Sequence, residues 1–121
     1  MNDTIFWAII GKMGWSDDHD DKRISKEVKS QIYGDKERMT KFLEIYNEKE
    51  KTLFDIAHKM TDSEYKKYIN ESDDGLWDVV SNVIGLGQKH YNSIIKKHSN
   101  FKGIKRIENF SYSFQIIEKM K

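Results

Sequence analysis

Asp73-Asp74-Gly75-Leu76-Trp77-Asp78-Val79-Val80-Ser81-Asn82-Val83-Ile84-Gly85-Leu86-Gly87 is the most apolar long run in a very polar chain. Its reading decides the fold. Asp74 or Asp73 can accept hydrogen bonds from the free amides of a helical first turn, and Asp78 follows where the helix dipole favours negative charge. Leu76, Trp77, Val80, Val83 and Ile84 recur at the spacing of one α-helical face, with Ser81 and Asn82 on other faces. Gly85 can take the left-handed conformation that closes a helix, and Gly87 permits a second sharp turn. The spacing predicts a helix with Leu76, Trp77, Val80 and Ile84 buried. A phosphate-cradling role for Gly85-Leu86-Gly87 would need a third glycine and a preceding strand. The pair therefore reads as a helix stop and corner.

Outward from this run, the composition sets limits. The 121 residues suffice for one domain and not for two ordinary ones. Charged residues reach 34% and hydrophobic ones only 37%, but 12% aromatics argue against disorder. A small core built from large aromatic pieces is the expected compromise. There is no cysteine, which excludes disulfides and thiolate metal sites, and no proline to interrupt long helices. Met1-Asn2-Asp3-Thr4 lacks a basic leader region, and the apolar run Ile5–Ile10 is too short for a membrane span. The expectation is a cytoplasmic protein with no membrane association.

Net charge is +1 but unevenly spread. Residues 1–74 hold 13 Lys/Arg against 17 Asp/Glu, a net of −4, and residues 75–121 hold 8 against 3, a net of +5. The total excludes nothing about partners, whereas the asymmetry can matter.

Upstream, Asp3 or Thr4 can cap a first helix. Ile5, Phe6, Trp7, Ala8, Ile9 and Ile10 make it apolar all round, which predicts a central, buried element. Ser16–Asp21 is a charged loop. Its four aspartates, Asp17, Asp18, Asp20 and Asp21, lack the alternate spacing, the bend glycine and the terminal glutamate of a calcium loop. They read as a solvated, helix-capping segment and, being the densest single-sign cluster, as the candidate partner-binding site. Ile24, Val28 and Ile32 predict a short amphipathic helix ended near Gly34. From Asp35 to Met60 the stripe Met39, Phe42, Leu43, Tyr46, Leu53, Ile56, Ala57 predicts a long helix of about 39 Å, with Glu48-Lys49-Glu50-Lys51 interrupting it as a kink or a break. Packing inside the domain is preferred over a coiled-coil dimer.

Thr61-Asp62-Ser63-Glu64 is a capping box opening another short helix. After Gly87, the spacing of Tyr91, Ile94, Ile95 and His98 predicts a helix over 88–98, with His98 half-buried at its end. Ser99–Arg106 reads as a basic loop. Phe110–Ile116 alternates with period two but has no partner strand, so it is read as a helix or extended segment laid on the core. The expected architecture is all-α, one domain over residues 1–121 with about five to seven helices, given ordinary helix and loop lengths.

Phe6-Trp7 in the first helix, Leu76-Trp77 opening a late one, and Val83-Ile84-Gly85 at its end together resemble the MolR-like small helical domains, an uncharacterised bacterial family. The chain differs after Gly87, where Gln88-Lys89-His90-Tyr91 replaces an acidic pair and a Phe–Arg–Trp-like helix. The resemblance implies a small helical protein. It also suggests the role of comparable cytosolic proteins encoded beside secreted toxins, which act as immunity proteins.

For an enzyme the pattern lacks a nucleophile with its base or a selected acid–base pair: His19, His58, His90 and His98 stand in unrelated contexts. No catalytic residue, cofactor or metal is predicted. For nucleic acid, the helix over 76–84, its glycine corner and the helix over 88–98 resemble a helix-turn-helix. Lys89, Asn92, Ser93 and Lys96 would meet the groove, and Lys102, Lys105 and Arg106 the phosphates, although the near-neutral total charge opposes it. The leading expectation is a protein-binding module of immunity type whose acidic loop meets a basic toxin domain.

Overall fold

In the computed structural model the described residues are 1–13 and 35–104. They form five α-helices and a closing 3-10 turn: α1 (Asp3–Met13), α2 (Lys36–His58), α3 (Asp62–Tyr68), α4 (Asp73–Leu86), α5 (Gln88–Lys96) and the turn His98–Phe101. The all-α expectation holds, and no strand occurs among the described residues. The acidic loop, the Ile24–Ile32 helix and the Phe110–Ile116 segment lie outside them.

The helix α4 is the centre. Gly75, Leu76 and every residue from Val79 to Gly85 are buried, because α1, α2 and α5 all pack on it. Ser81 and Asn82, placed on outer faces by the stripe, are buried too. The cap is Ser72, not Asp73 or Asp74: the Gly75 amide donates to Ser72 Oγ at 3.3 Å. The two aspartates instead occupy the first turn, where the dipole favours them. The helix does not close at Gly85. It runs on to Leu86 and stops at Gly87, whose φ of +110° and ψ of 179° belong to a region that side chains avoid. Gly87 also opens α5, so one residue makes the whole corner.

The helix α2 is unbroken over 23 residues, about 35 Å at the α-helical rise. Asp35 caps it, accepting from the Arg38 amide at 2.9 Å. No kink forms at Glu48–Lys51, because Lys49 continues the buried stripe rather than interrupting it. Its aliphatic stem fills the stripe position between Tyr46 and Leu53, and its amine emerges at the edge to donate to Asp3 Oδ2 at 2.7 Å. Asp3 is available for this because Asn2, not Asp3 or Thr4, caps α1, its Oδ1 accepting from the Ile5 amide at 2.9 Å.

The helix α1 is two-sided rather than buried all round. Phe6, Trp7, Ile9 and Ile10 face inward, while Ile5 and Ala8 are exposed. Between α2 and α3 the capping box forms as the sequence predicts: Glu64 N–H donates to Thr61 Oγ1, and Thr61 N–H to Glu64 Oε1. The Thr61 amide first, and the Thr61 hydroxyl second, hold the Glu64 carboxylate below its usual range. The helix α5 ends at Lys96, earlier than predicted, and the chain tightens into the 3-10 turn that buries Phe101. This turn leaves His98 exposed instead of half-buried.

Candidate functional site

Two polar or aromatic groupings stand out, one sealed and one open. The sealed grouping lies where α1, α2, α4 and α5 meet. Tyr46 is 4% exposed and donates to Ser81 Oγ at 3.3 Å. Burial pushes its phenol far above the usual tyrosine range, and the negative charge of Glu50 adds to this, whereas the Ser81 bond pulls the other way. One turn on, the Lys49 amine lies 5.4 Å from the Tyr91 ring centre, and that ring lies 5.4 Å from Trp7. The chain Asp3–Lys49–Tyr91–Trp7 thus ties the start of α1 to α2 and α5. A phenol this reluctant to ionise is no base at neutral pH, and the Lys49 amine is engaged by Asp3. The arrangement does structural work: Tyr46 is paired with Ser81 and Lys49 with Asp3, as burial requires.

The open grouping lies where the C-terminal part of α2 meets the first turns of α4. Trp77 was expected in the core, but it is 45% exposed. It points the way the stripe dictates, since it stands i−7 from fully buried Ile84 and i−4 from Ser81. Two turns earlier along the axis, however, it is half open, and among the described residues one ring covers it. That ring is Phe54, 5.9 Å away and edge-on, and Phe54 in turn stacks on exposed His58 at 5.9 Å. Three aromatic rings therefore form a continuous surface strip. The sequence hid this strip because Trp77 fits the core stripe, and Phe54 and His58 flank the buried stripe of α2 rather than standing in it.

A cavity of about 250 Å³ between the starts of α1 and α2 is lined by Met1, Ile5, Asp35, Glu37, Arg38 and Lys41. Its charges are mixed and Asp35 is committed to its cap, so no polar set converges in it. Among the described residues, no three His, Asp or Glu side chains are grouped to hold a metal ion. No described helix is long and apolar enough to cross a membrane.

The predicted partner-binding residues Asp17, Asp18, Asp20 and Asp21 lie outside the described residues. Of the proposed DNA-facing set, Lys89, Asn92 and Lys96 are exposed on α5, but Ser93 is engaged: its Oγ and its carbonyl both accept from Asn100 Nδ2, at 2.8 and 3.0 Å. The α4–α5 corner is a single residue, where a helix-turn-helix uses about three to four. Lys102 is exposed, and Lys105 and Arg106 lie outside the described residues.

The family model described as "Protein of unknown function (DUF4240)" matches residues 1–121. The chain belongs to the DUF4240 family. The anchors implied an uncharacterised family, and DUF4240 is one, but the family matched is not the MolR-like one, and the match brings no activity with it. No curated protein and no solved structure matches it.

Proposed function

We propose that this chain is a protein-binding module, acting as an immunity-type protein that neutralises a basic toxin domain. The observation that carries the reading is the exposed strip Trp77–Phe54–His58. A half-exposed tryptophan backed by a second ring is costly to leave in water, and aromatic anchors of this kind dominate protein interfaces. The uneven charge of the two chain halves supports a charge-steered partner, and the likeness of Phe6-Trp7 and Leu76-Trp77 to the MolR-like domains supports the immunity role. In this reading Asp17, Asp18, Asp20 and Asp21 steer association and the strip holds the complex.

The test begins with a tagged full chain used to isolate its partner from the cell of origin, with the product of the neighbouring gene as the first candidate. Trp77→Ser should weaken the purified complex at least about tenfold, the ordinary loss for an aromatic anchor. Converting the four aspartates to Asn should slow association mainly at low salt. Unchanged affinity with Trp77→Ser, or a candidate toxin whose toxicity the chain does not relieve, overturns the reading.

A further inference from the structure

The strip carries a charge as well as an apolar surface. Asp73 and Asp74 occupy the first turn of α4, at i−4 and i−3 from Trp77. Those positions flank position i on a helix, and helical side chains lean toward the N-terminus. By spacing, both residues therefore stand one turn before Trp77, on its side of α4. Both are exposed, and neither forms a salt bridge among the described residues. Asp55, exposed next to Phe54 on α2, forms none either. Asp78 adds a fourth acid, and against these stand Lys51, Lys59 and the imidazole of His58, so the charges around the strip stay net negative at neutral pH. The positive end of the α4 dipole absorbs part of the Asp73 and Asp74 charge and leaves Asp55 untouched.

From this geometry we infer that the strip receives a cationic side chain of the partner protein, an arginine before a lysine, laid on the open face of Trp77 between Asp73 and Asp74. The inference rests on the partner-binding reading above and names the chemistry of its contact. An indole face attracts a cation through its quadrupole, and a planar guanidinium can stack there while its edge donates to a carboxylate. A purely apolar partner would cover the same ring only by desolvating carboxylates that it cannot pair.

The experiment follows the Trp77 indole ¹H–¹⁵N resonance of the full chain, identified by its loss in Trp77→Phe. Three short peptides are titrated that differ at one position: arginine, its uncharged isostere citrulline, and glutamate. The arginine peptide should shift the resonance, and the citrulline peptide should bind about tenfold more weakly, the scale of a partly desolvated cation–π contact. The glutamate peptide should not shift it. The double variant Asp73→Asn, Asp74→Asn should weaken the arginine response with the other resonances in place. Equal response to arginine and citrulline overturns the cationic contact while leaving the strip a docking surface. No response to any of the three overturns both.

Discussion

Trp7 and Trp77 both stand in apolar stripes next to another large hydrophobic residue, and both are predicted core residues, yet the protein treats them in opposite ways. Trp7 is 7% exposed, with Phe6 edge-on at 5.0 Å and Tyr91 at 5.4 Å. Trp77 is 45% exposed, with Phe54 the one ring beside it among the described residues. Trp7 lies where α1, α2 and α5 converge on the middle of α4, and Trp77 lies in the second turn of that helix, on a side left half open although Gly75 and Leu76 just before it are buried. A periodic stripe reports the angle of a side chain around its helix axis. It does not report which neighbours meet that side at each level of the axis, and those neighbours decide which tryptophan is core.

The largest test of this contrast is Trp7→Ala. Deleting a buried tryptophan leaves a cavity that its neighbours only partly fill, so the loss should be about 3–5 kcal/mol by urea denaturation. A loss under about 1 kcal/mol would mean that Trp7 is no better enclosed than Trp77. Trp77→Ala should cost less, about 1–2 kcal/mol, because half of the ring gains no burial on folding and its removal opens a surface notch rather than a cavity. Equal losses at the two sites would erase the distinction between a sealed and an open end, and with it the surface on which partner binding is proposed.

Much of the frame was legible because local chemistry dictated it. The capping box at Thr61–Glu64, the Asp35 start of α2, and the burial of Phe6, Trp7, Ile10, Phe42, Leu43, Leu53, Leu76, Val80 and Ile84 depend on spacings of three to eight residues that the sequence displays directly. What escaped depends on partners distant in sequence. Lys49 looked like an interruption because its partner Asp3 lies 46 positions away. Ser81 looked like an outer-face residue because Tyr46, its partner, lies 35 positions away. Ser72 escaped as a cap because three good capping residues stand in a row, and only the backbone geometry selects among them. The exposed strip needed the packing of α2 against α4, which no local pattern contains. The acidic loop was singled out by charge density alone, and it lies outside the described residues.

The smallest expected effect at neutral pH, and the sharpest probe of the sealed end, is Tyr46→Phe. Losing one neutral hydrogen bond to Ser81 should cost about 1 kcal/mol. The alkaline range separates the two ends further. Burial first, and the nearby Glu50 charge second, raise the Tyr46 phenol above its unfolded value, so the folded chain keeps a proton that the unfolded chain releases above about pH 10. The stability from that difference is fully present below the unfolded pKa and is lost as pH climbs toward the folded one. The wild-type chain should therefore lose an extra ~1.4 kcal/mol per pH unit above about 10, a slope that Tyr46→Phe lacks. Denaturation midpoints of the two chains should converge as pH rises and then cross, because the neutral-pH advantage of the hydroxyl is smaller than its alkaline cost. Parallel curves through this range would show that the Tyr46 hydroxyl ionises as readily in the folded chain as in the unfolded one. Water would then reach the middle of α4 as it reaches Trp77, and only the covering of the two tryptophan rings themselves would remain to distinguish the two ends.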